Sequence, residues 1–528
     1  MRPSLARLYK CILLAAVAAC PVAGAQVPAK ATLHIVLVLD GLRPDSITAQ
    51  HTPNLHRLKT EGVAFTNSHA VFPTVTRVNA TALGTGSYPS RNGIMGNSIY
   101  IPAVDSRRAF SNDDAQKLLG LEDKIVTAPG LAEALMAAGE RYVVVSSGST
   151  GSVLLLSPNA PRGLGVVING DFFPGEQVAF PKEASAEVLK RFGSAPKKGG
   201  ATDAYDASVT WAARVLHDYV LPELKPRVVV HWMTEPDHIQ HGRGVGAPES
   251  LKSIRHDDEQ VGLLLAKLAA LGLRERTNIM VVSDHGFGHT VHNVNVNDEL
   301  MSAGLLPREE SDEVIVASSG QTIGVHVKNR DPKRIAAIVD FLQKQPWCSV
   351  VFTARGGGAP HEGAVAGTFS LDYVFLGGHE RSPDIVFTFP WSSAQNRYGV
   401  PGTDYINVSR GKTERVTVDT ANHGGIGPWT VTNTMLAWGP DFKRGAVVRT
   451  PTSNVDVAPT LLHLLGLRSA LAAMDGRPIL EALAGGPDEE QVPLETRTVR
   501  VSRDGYSAVL QTSEVAGKRY IDKGWRLH

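Results

Sequence analysis

Cysteine is nearly absent. The 528-residue chain has three, Cys11, Cys20 and Cys348. The first two fall in a segment that reads as a leader, so a mature chain would keep only Cys348 and could form no internal disulfide. That excludes the small, disulfide-stapled class of exported domains; a large core or bound metal must hold the fold instead. An excess of one charge is missing as well. Lys and Arg number 53 against 52 Asp and Glu, so nothing draws in nucleic acid as a bulk partner. Long hydrophobic runs are also missing. The N-terminal run Cys11 to Ala19 has nine residues, too few to span a bilayer, and no later stretch reads as a transmembrane segment. There are no internal repeats and no long low-complexity tract, and the sequence carries no signal for a particular number of subunits.

The leader has three parts. Arg2, Arg7 and Lys10 form a positive start, the apolar run follows, and Ala23-Gly24-Ala25 matches a small-residue cleavage site. The expectation is a signal peptide over 1–25, a mature start at Gln26 and a periplasmic or secreted protein. Removing it takes 53 basic residues to 50 against 52 acidic, a net charge of −2. A second reading of the same segment is a lipobox, Val17-Ala18-Ala19-Cys20, with Cys20 as a lipidated first residue of an inner- or outer-membrane lipoprotein.

What the chain does have is a rhythm of buried strands and helices. His34-Ile35-Val36-Leu37-Val38-Leu39, Tyr142-Val143-Val144-Val145, Val228-Val229-Val230-His231-Trp232 and Asn278-Ile279-Met280-Val281-Val282 are continuous apolar runs of the kind found in parallel strands covered on both faces. Helical patterns separate them, notably 203–219 and 248–273. The alternation predicts a three-layer αβα sandwich with a mostly parallel central sheet. Residues 147–200, rich in Gly, Ser, Pro and Lys, read as excursions forming a rim. Residues 305–415 break the rhythm and read as an inserted, cap-like subdomain. The expected organisation is a core over 30–304 and 416–485, that insertion, and a β-like extension over 486–528.

Three of the strands run into acids: Asp40, Asp237 and Asp284. Open α/β sheets place their ligands at that carboxyl edge. His241 follows Asp237 by four residues, His285 follows Asp284 directly, and His423 lies in a glycine-flanked loop. Each acid alone reads as a turn residue and each histidine as a packing residue. Together, three carboxylates and three imidazoles suit two zinc-like ions. Thr76 stands where the extended segment Phe72-Pro73-Thr74-Val75 gives way to a short helix. Its hydroxyl can cap that helix or act as a nucleophile beside the positive end of the helix dipole. Asn79 lies at i+3, on the same face as Thr76.

The motifs Val38-Leu39-Asp40-Gly41-Leu42-Arg43, Thr52-Pro53-Asn54-Leu55, Phe72-Pro73-Thr74-Val75-Thr76-Arg77-Val78-Asn79, Glu235-Pro236-Asp237 with His241, Ser283-Asp284-His285-Gly286 and Asn422-His423-Gly424 occur in this order across residues 34–467. As a set they resemble the type I phosphodiesterase/nucleotide pyrophosphatase family of the alkaline phosphatase superfamily. The resemblance implies an alkaline phosphatase-like fold and two zinc ions, or two other divalent ions. One would be held by Asp237, His241 and His423, the other by Asp40, Asp284, His285 and Thr76. It implies that Thr76 attacks phosphorus to give a phosphothreonine, that the Asn79 amide donates to a phosphate oxygen, and that the substrate is a small phosphoester. Family members that cleave nucleotides often carry an aromatic residue after the nucleophile. Here it is Arg77, which can meet an anionic group of the substrate, pair with an acid of the protein, or face solvent. A monoesterase of the same superfamily is the alternative, with extra cations drawn from Arg77 or from Arg162, Lys182, Lys190 and Arg191. A metal-binding protein without catalysis is a further one. No Cys or Ser precedes a Pro-x-Arg pattern at the nucleophile position, which argues against a sulfatase. His289 and His292 read as loop residues, His231 and His238 as packing around the site, His361 and His379 as part of the insertion, and Cys348 as a buried apolar thiol.

Overall fold

The computed structural model describes residues 31–408 and 420–527; the leader and Cys20 lie outside them. The centre is a nine-stranded sheet. Its strands in chain order are β1 (Leu33–Leu39), β2 (Val63–Phe65), β3 (Tyr142–Ser146), β4 (Val166–Phe173), β5 (Gln177–Phe180), β6 (Val228–Met233), β7 (Thr277–Val282), β8 (Met435–Trp438) and β9 (Ala446–Val448). They lie side by side as β9-β2-β8-β7-β1-β6-β3-β4-β5. From β7 through β4 every neighbouring pair is parallel; β8 and β5 run the other way. The predicted mixed α/β class with a mostly parallel sheet is therefore correct.

The continuous apolar runs follow from burial on both faces. Val36 and Val38 of β1 pack into one core with Leu83 and Leu154, while Ile35 and Leu37 pack into the opposite one with Val209 and Leu264. A strand with helices on both sides has no polar face to alternate with. The Thr52-Pro53-Asn54-Leu55 motif also finds its reason here. It opens the helix Pro53–Glu61, and its first N–H groups, those of Asn54 and Leu55, donate to Asp258 at 3.1 and 2.7 Å, so a distant carboxylate acts as the cap.

One region departs from expectation. Residues 147–200 supply β4 and β5 of the main sheet, the buried helix Thr150–Leu156 and the surface helix Lys182–Phe192. The polar stretch Asn169-Gly170-Asp171 inside β4 and the edge position of β5 hid them, because an edge strand needs no long apolar run. Farther on, Val314–Ser319, Thr322–Val327, Val351–Thr353, Phe369–Ser370 and Ile385–Thr388 form a five-stranded sheet with the helix Pro332–Lys344 packed near it. Pro401–Asn407 instead pairs with Gly288–Val294, just beyond β7. The last strands, Leu494–Arg503, Tyr506–Val515 and Lys518–Leu527, form an antiparallel meander whose Val501, Tyr506 and Leu510 join the same core as the five-stranded sheet.

Candidate active site

The strand order explains why the three acids meet. β7, β1 and β6 are adjacent and parallel, so Asp284, Asp40 and Asp237 leave neighbouring strands at one edge. Backbone bonds lock the turns together: Asp40 N–H donates to Met233 O and Asp237 N–H to Asp40 O, both at 3.0 Å. Gly41 N–H donates to Asp284 Oδ1 at 3.0 Å. Gly41 has φ +68°, and a Cβ there would stand 2.5 Å from the Phe287 ring, so this turn requires glycine twice over.

The histidines are presented in one way. Nδ1 of His241, His285 and His423 each faces a backbone carbonyl, of Ala421, Gly286 and Thr74, at 3.0–3.1 Å. A carbonyl only accepts, so Nδ1 carries the proton and each Nε2 keeps its lone pair. All three Nε2 atoms converge on Asp237 Oδ1, at 3.4 Å for His241, 3.5 Å for His423 and 3.9 Å for His285. His285 Nε2 also lies 3.5 Å from Asp40 Oδ1 and 3.1 Å from Asp284 Oδ2. The imidazoles of His285 and His423 stack at 3.5 Å, and Phe287 walls the group from behind.

Asp40 Oδ1, Asp237 Oδ1 and Asp284 Oδ2 are buried without a hydrogen-bond partner, although Asp40 Oδ2 accepts from Trp232 Nε1 and Asp284 Oδ1 from Gly41. Burial, and then the neighbouring Asp284 and Asp237, push the Asp40 carboxyl well above the carboxylate range. Asp237 is held below that range, because the imidazoles outweigh its burial. Burial and the adjacent His285 push His423 well below the usual imidazole value. Three carboxylate oxygens without a partner, gathered against three inward-turned imidazole Nε2 atoms, concentrate acceptors that divalent cations would satisfy. Asp40, Asp284 and His285 form one group with ligand atoms within 4.8 Å of one another; Asp237, His285 and His423 form a second. Ligands about 2.0–2.1 Å from one ion stand about 3–4 Å apart, so the residues fit divalent metals. His285 belongs to both groups, and His241 joins through Asp237.

Thr76 is the first residue of the helix Thr76–Thr85. Val75, with extended dihedrals, holds the cap position and offers no side-chain oxygen. The Thr76 hydroxyl is therefore not spent as a cap; it lies 3.2 Å from His285 Nε2. Asn79 turns elsewhere. Its Nδ2 donates to Val71 O and Val75 O, its Oδ1 accepts from Val71 N–H and Asn454 Nδ2, and the side chain is fully buried. The amide pins the loop before Thr76 rather than facing the hydroxyl. Asn454 also donates to Asp284 O at 2.9 Å, so these two amides tie the Thr76 helix to the Asp284 turn.

Sequence reasoning missed Asn97. Its Oδ1 accepts the Arg77 N–H at 3.0 Å, which sets the amide at the open end of the Thr76 helix. The available signal was a lone Asn after Gly96 in a turn-rich loop. Arg77 pairs with Asp113 at 3.0 Å, one of its three readings. Arg162, Lys182, Lys190 and Arg191 are exposed, and Arg191 pairs with Glu187 and Glu223. His231 is buried against Val145 O, and His238 stacks on Tyr205. His289 and His292 lie on the strand Gly288–Val294; His361 packs near Phe369 and Tyr373, and His379 near Thr127. Burial pushes the Cys348 thiol far up, as suits an inert apolar residue.

Comparison with known proteins agrees with this geometry. The sequence model of "Type I phosphodiesterase / nucleotide pyrophosphatase" matches residues 34–396. The venom phosphodiesterase CdcPDE of Crotalus durissus collilineatus is 26% identical over 258 residues, 48% of this chain and 26% of the relative. Rat ectonucleotide pyrophosphatase/phosphodiesterase family member 1 is 26% identical over 262 residues, 48% of this chain and 24% of the relative. The match thus spans about a quarter of each of these relatives. Among solved structures, murine ectonucleotide pyrophosphatase/phosphodiesterase 5, in an inactive form with AMP, aligns with a TM-score of 0.57 at 16% identity, covering 85% of this chain and 99% of that one. The likeness shows that the two share the alkaline phosphatase-like fold. With a family model matched over more than half its length, the chain belongs to the type I phosphodiesterase/nucleotide pyrophosphatase family.

Proposed function

We propose that the chain is an exported hydrolase of phosphodiester or phosphoanhydride bonds that works through two metal ions and a covalent phosphothreonine on Thr76. The observation that carries this reading is the set of unpaired Asp40, Asp237 and Asp284 oxygens gathered with the Nε2 atoms of His241, His285 and His423, where the Thr76 hydroxyl meets His285 Nε2 at 3.2 Å. Asp237, His241 and His423 would hold one zinc ion, and Asp40, Asp284, His285 and Thr76 the other. When bound, the ions supply the positive charge that lowers the pKa of the Thr76 hydroxyl and balances charge on the leaving oxygen.

The chain's own residues do the rest. Thr76 Oγ1 attacks phosphorus in line, the leaving oxygen departs opposite, and water then cleaves the threonine ester. The start of the helix offers N–H groups and a positive dipole end to a non-bridging phosphate oxygen. Asn97, anchored at that end through its Oδ1, is placed to add its Nδ2 donor, the role the sequence had suggested for Asn79. Asn79 and Asn454 hold the helix in register with the Asp284 turn. The carbonyl anchors on the three Nδ1 atoms fix ring orientation, so little reorganisation is needed at the moment of reaction. The leader supports export, and the activities named for the relatives support the bond type.

Thr76→Ala tests the assignment. Turnover of bis-p-nitrophenyl phosphate by the zinc-loaded chain should fall on the order of 10⁴-fold, with about two zinc ions per chain retained. Full activity in that variant would remove Thr76 from the chemistry. Faster turnover of p-nitrophenyl phosphate than of the diester by the unaltered chain would favour a monoesterase.

A further inference from the structure

Two cations stand at the rim of this site. Arg77 directly follows the nucleophile, and its side chain is 16% exposed. Among the described residues it pairs with Asp113 at 3.0 Å, and its Nε is buried without a hydrogen-bond partner. Asp113 is itself held by the Gly151 N–H at 2.9 Å. Lys198 is the second cation. Its Nζ bonds Asp171 Oδ2 at 2.7 Å and lies 5.0 Å from the centre of the Tyr205 ring. Asp171 Oδ2 in turn accepts the Ser149 N–H at 2.9 Å.

The space taken by the ammonium is informative. A Cβ on Gly148 would stand 2.1 Å from Lys198 Nζ. Gly148 lies just past the end of β3, and β3 pairs with β6, the strand that leads to Asp237. A lysine from a distant loop therefore fills the place where residue 148 would project its own side chain, at the edge of the sheet that carries the acids. Both cations act on one neighbourhood. Asp113, the partner of Arg77, takes the Gly151 N–H, while Asp171, the partner of Lys198, takes the Ser149 N–H and the ammonium fills the vacant side of Gly148, so both cations border the turn 148–151. The acids Asp113 and Asp171 hold the cations in position and leave donors unspent, since a guanidinium has five N–H groups and an ammonium three.

We propose that Arg77 and Lys198 form a two-cation subsite that selects phosphodiesters whose second substituent carries its own anionic group, a carboxylate or a further phosphate. The inference rests on the reading of Thr76 as the nucleophile of a phosphoester hydrolase. An anionic substituent meets a planar fork from Arg77 and a point charge from Lys198, whereas a neutral one gains neither.

The test uses the zinc-loaded full chain and three matched diesters: ethyl, 2-carboxyethyl and 2-phosphoethyl p-nitrophenyl phosphate. At least one anionic ester should exceed the ethyl ester in kcat/KM by about tenfold, and the better of the two identifies the group. Arg77→Gln and Lys198→Met should each cut that ratio by about tenfold. Gly148→Ala, which displaces the ammonium without removing it, should lower the ratio in the same direction. The ratio is taken within one preparation, so partial misfolding cancels. A ratio near one in the unaltered chain, or a ratio that none of the variants changes, overturns the proposal. So does faster turnover of p-nitrophenyl phosphate than of either anionic diester, because the cations would then serve the phosphoryl group itself. Calorimetric titration of zinc-loaded Thr76→Ala with the same esters separates the two readings. Tighter binding of an anionic ester by about tenfold supports the subsite even if the unaltered chain hydrolyses none of them, which would refute only the hydrolase. Equal affinities refute the subsite.

Discussion

The same strands end in two different kinds of polar cluster. At their amino ends, Asp441 Oδ2 accepts from Ala31 N–H at 3.1 Å and from Asn278 Nδ2 at 2.8 Å, Asn278 Oδ1 accepts the Asp441 N–H, and Arg227 donates to Ala31 O. At their carboxyl ends, Asp40, Asp237 and Asp284 each keep an oxygen that no group of the described protein satisfies. Both clusters are buried and both carry histidine, His34 at one end and His285 at the other. At the amino end His34 Nε2 and Arg227 Nε lack a hydrogen-bond partner, but Asp441 Oδ2 meets two donors, which makes a structural clasp. Acceptors gathered against acceptors, with ring orientations fixed from behind, make a place for cations. Burial of polar residues does not separate the two cases; whether the buried carboxylate oxygens find donors does.

The comparison can be broken at either end. The largest effect belongs to the carboxyl end: Asp284→Asn should lower zinc content and cut diesterase turnover by on the order of 10³-fold, measured beside metal analysis. Its metal-free form should unfold at no lower denaturant concentration than the metal-free parent, since the substitution removes an uncompensated buried charge. A clear loss of metal-free stability would mean that the carboxylate is a structural clasp after all. Chelation of the unaltered chain comes next. If ions bind only the folded state, removing them from about 1,000-fold saturation costs about 4 kcal/mol, read as a drop in unfolding midpoint.

At the amino end, burial and then the positive charge of Arg227, opposed by Asp441, lower His34 from 6.5 to about 4. The unfolded chain then binds the extra proton between about pH 6.5 and 4, so stability is complete above that window and falls as pH drops through it. The loss from this group is on the order of 3 kcal/mol. His34→Gln should flatten the denaturation midpoint over that window; an unchanged slope would deny the burial of a neutral imidazole. Asp441→Asn should give the smallest effect, about 1–2 kcal/mol of stability for weakened bonds to Ala31 and Asn278, with turnover kept. Loss of turnover there would tie the far end of the sheet to the chemistry.

Much of this was legible along the chain. The valine- and isoleucine-rich runs announce parallel strands, and an acid after three of them announces a ligand edge, because both signals are local. Other features escaped the sequence for one reason, that they depend on partners far apart in it. Asn79 and Asn97 are both plausible donors near Thr76 by position. Only Val71, Val75 and Asn454, the last 375 residues away, draw the Asn79 amide inward. Lys198 was not singled out in its Lys- and Gly-rich stretch, whereas Arg162, Lys182, Lys190 and Arg191, all exposed, were.

By itself, the sequence determined the αβα class, the helix start at Thr76 and the chemistry of each candidate ligand. These follow from side-chain type and short-range pattern. Only the tertiary structure decided that β7, β1 and β6 would be neighbours, that three Nε2 lone pairs would meet one carboxylate oxygen, and that Lys198 would occupy the space beside Gly148. Strand order, ring orientation and the filling of a glycine's vacant side are set by contacts between segments that lie up to hundreds of residues apart.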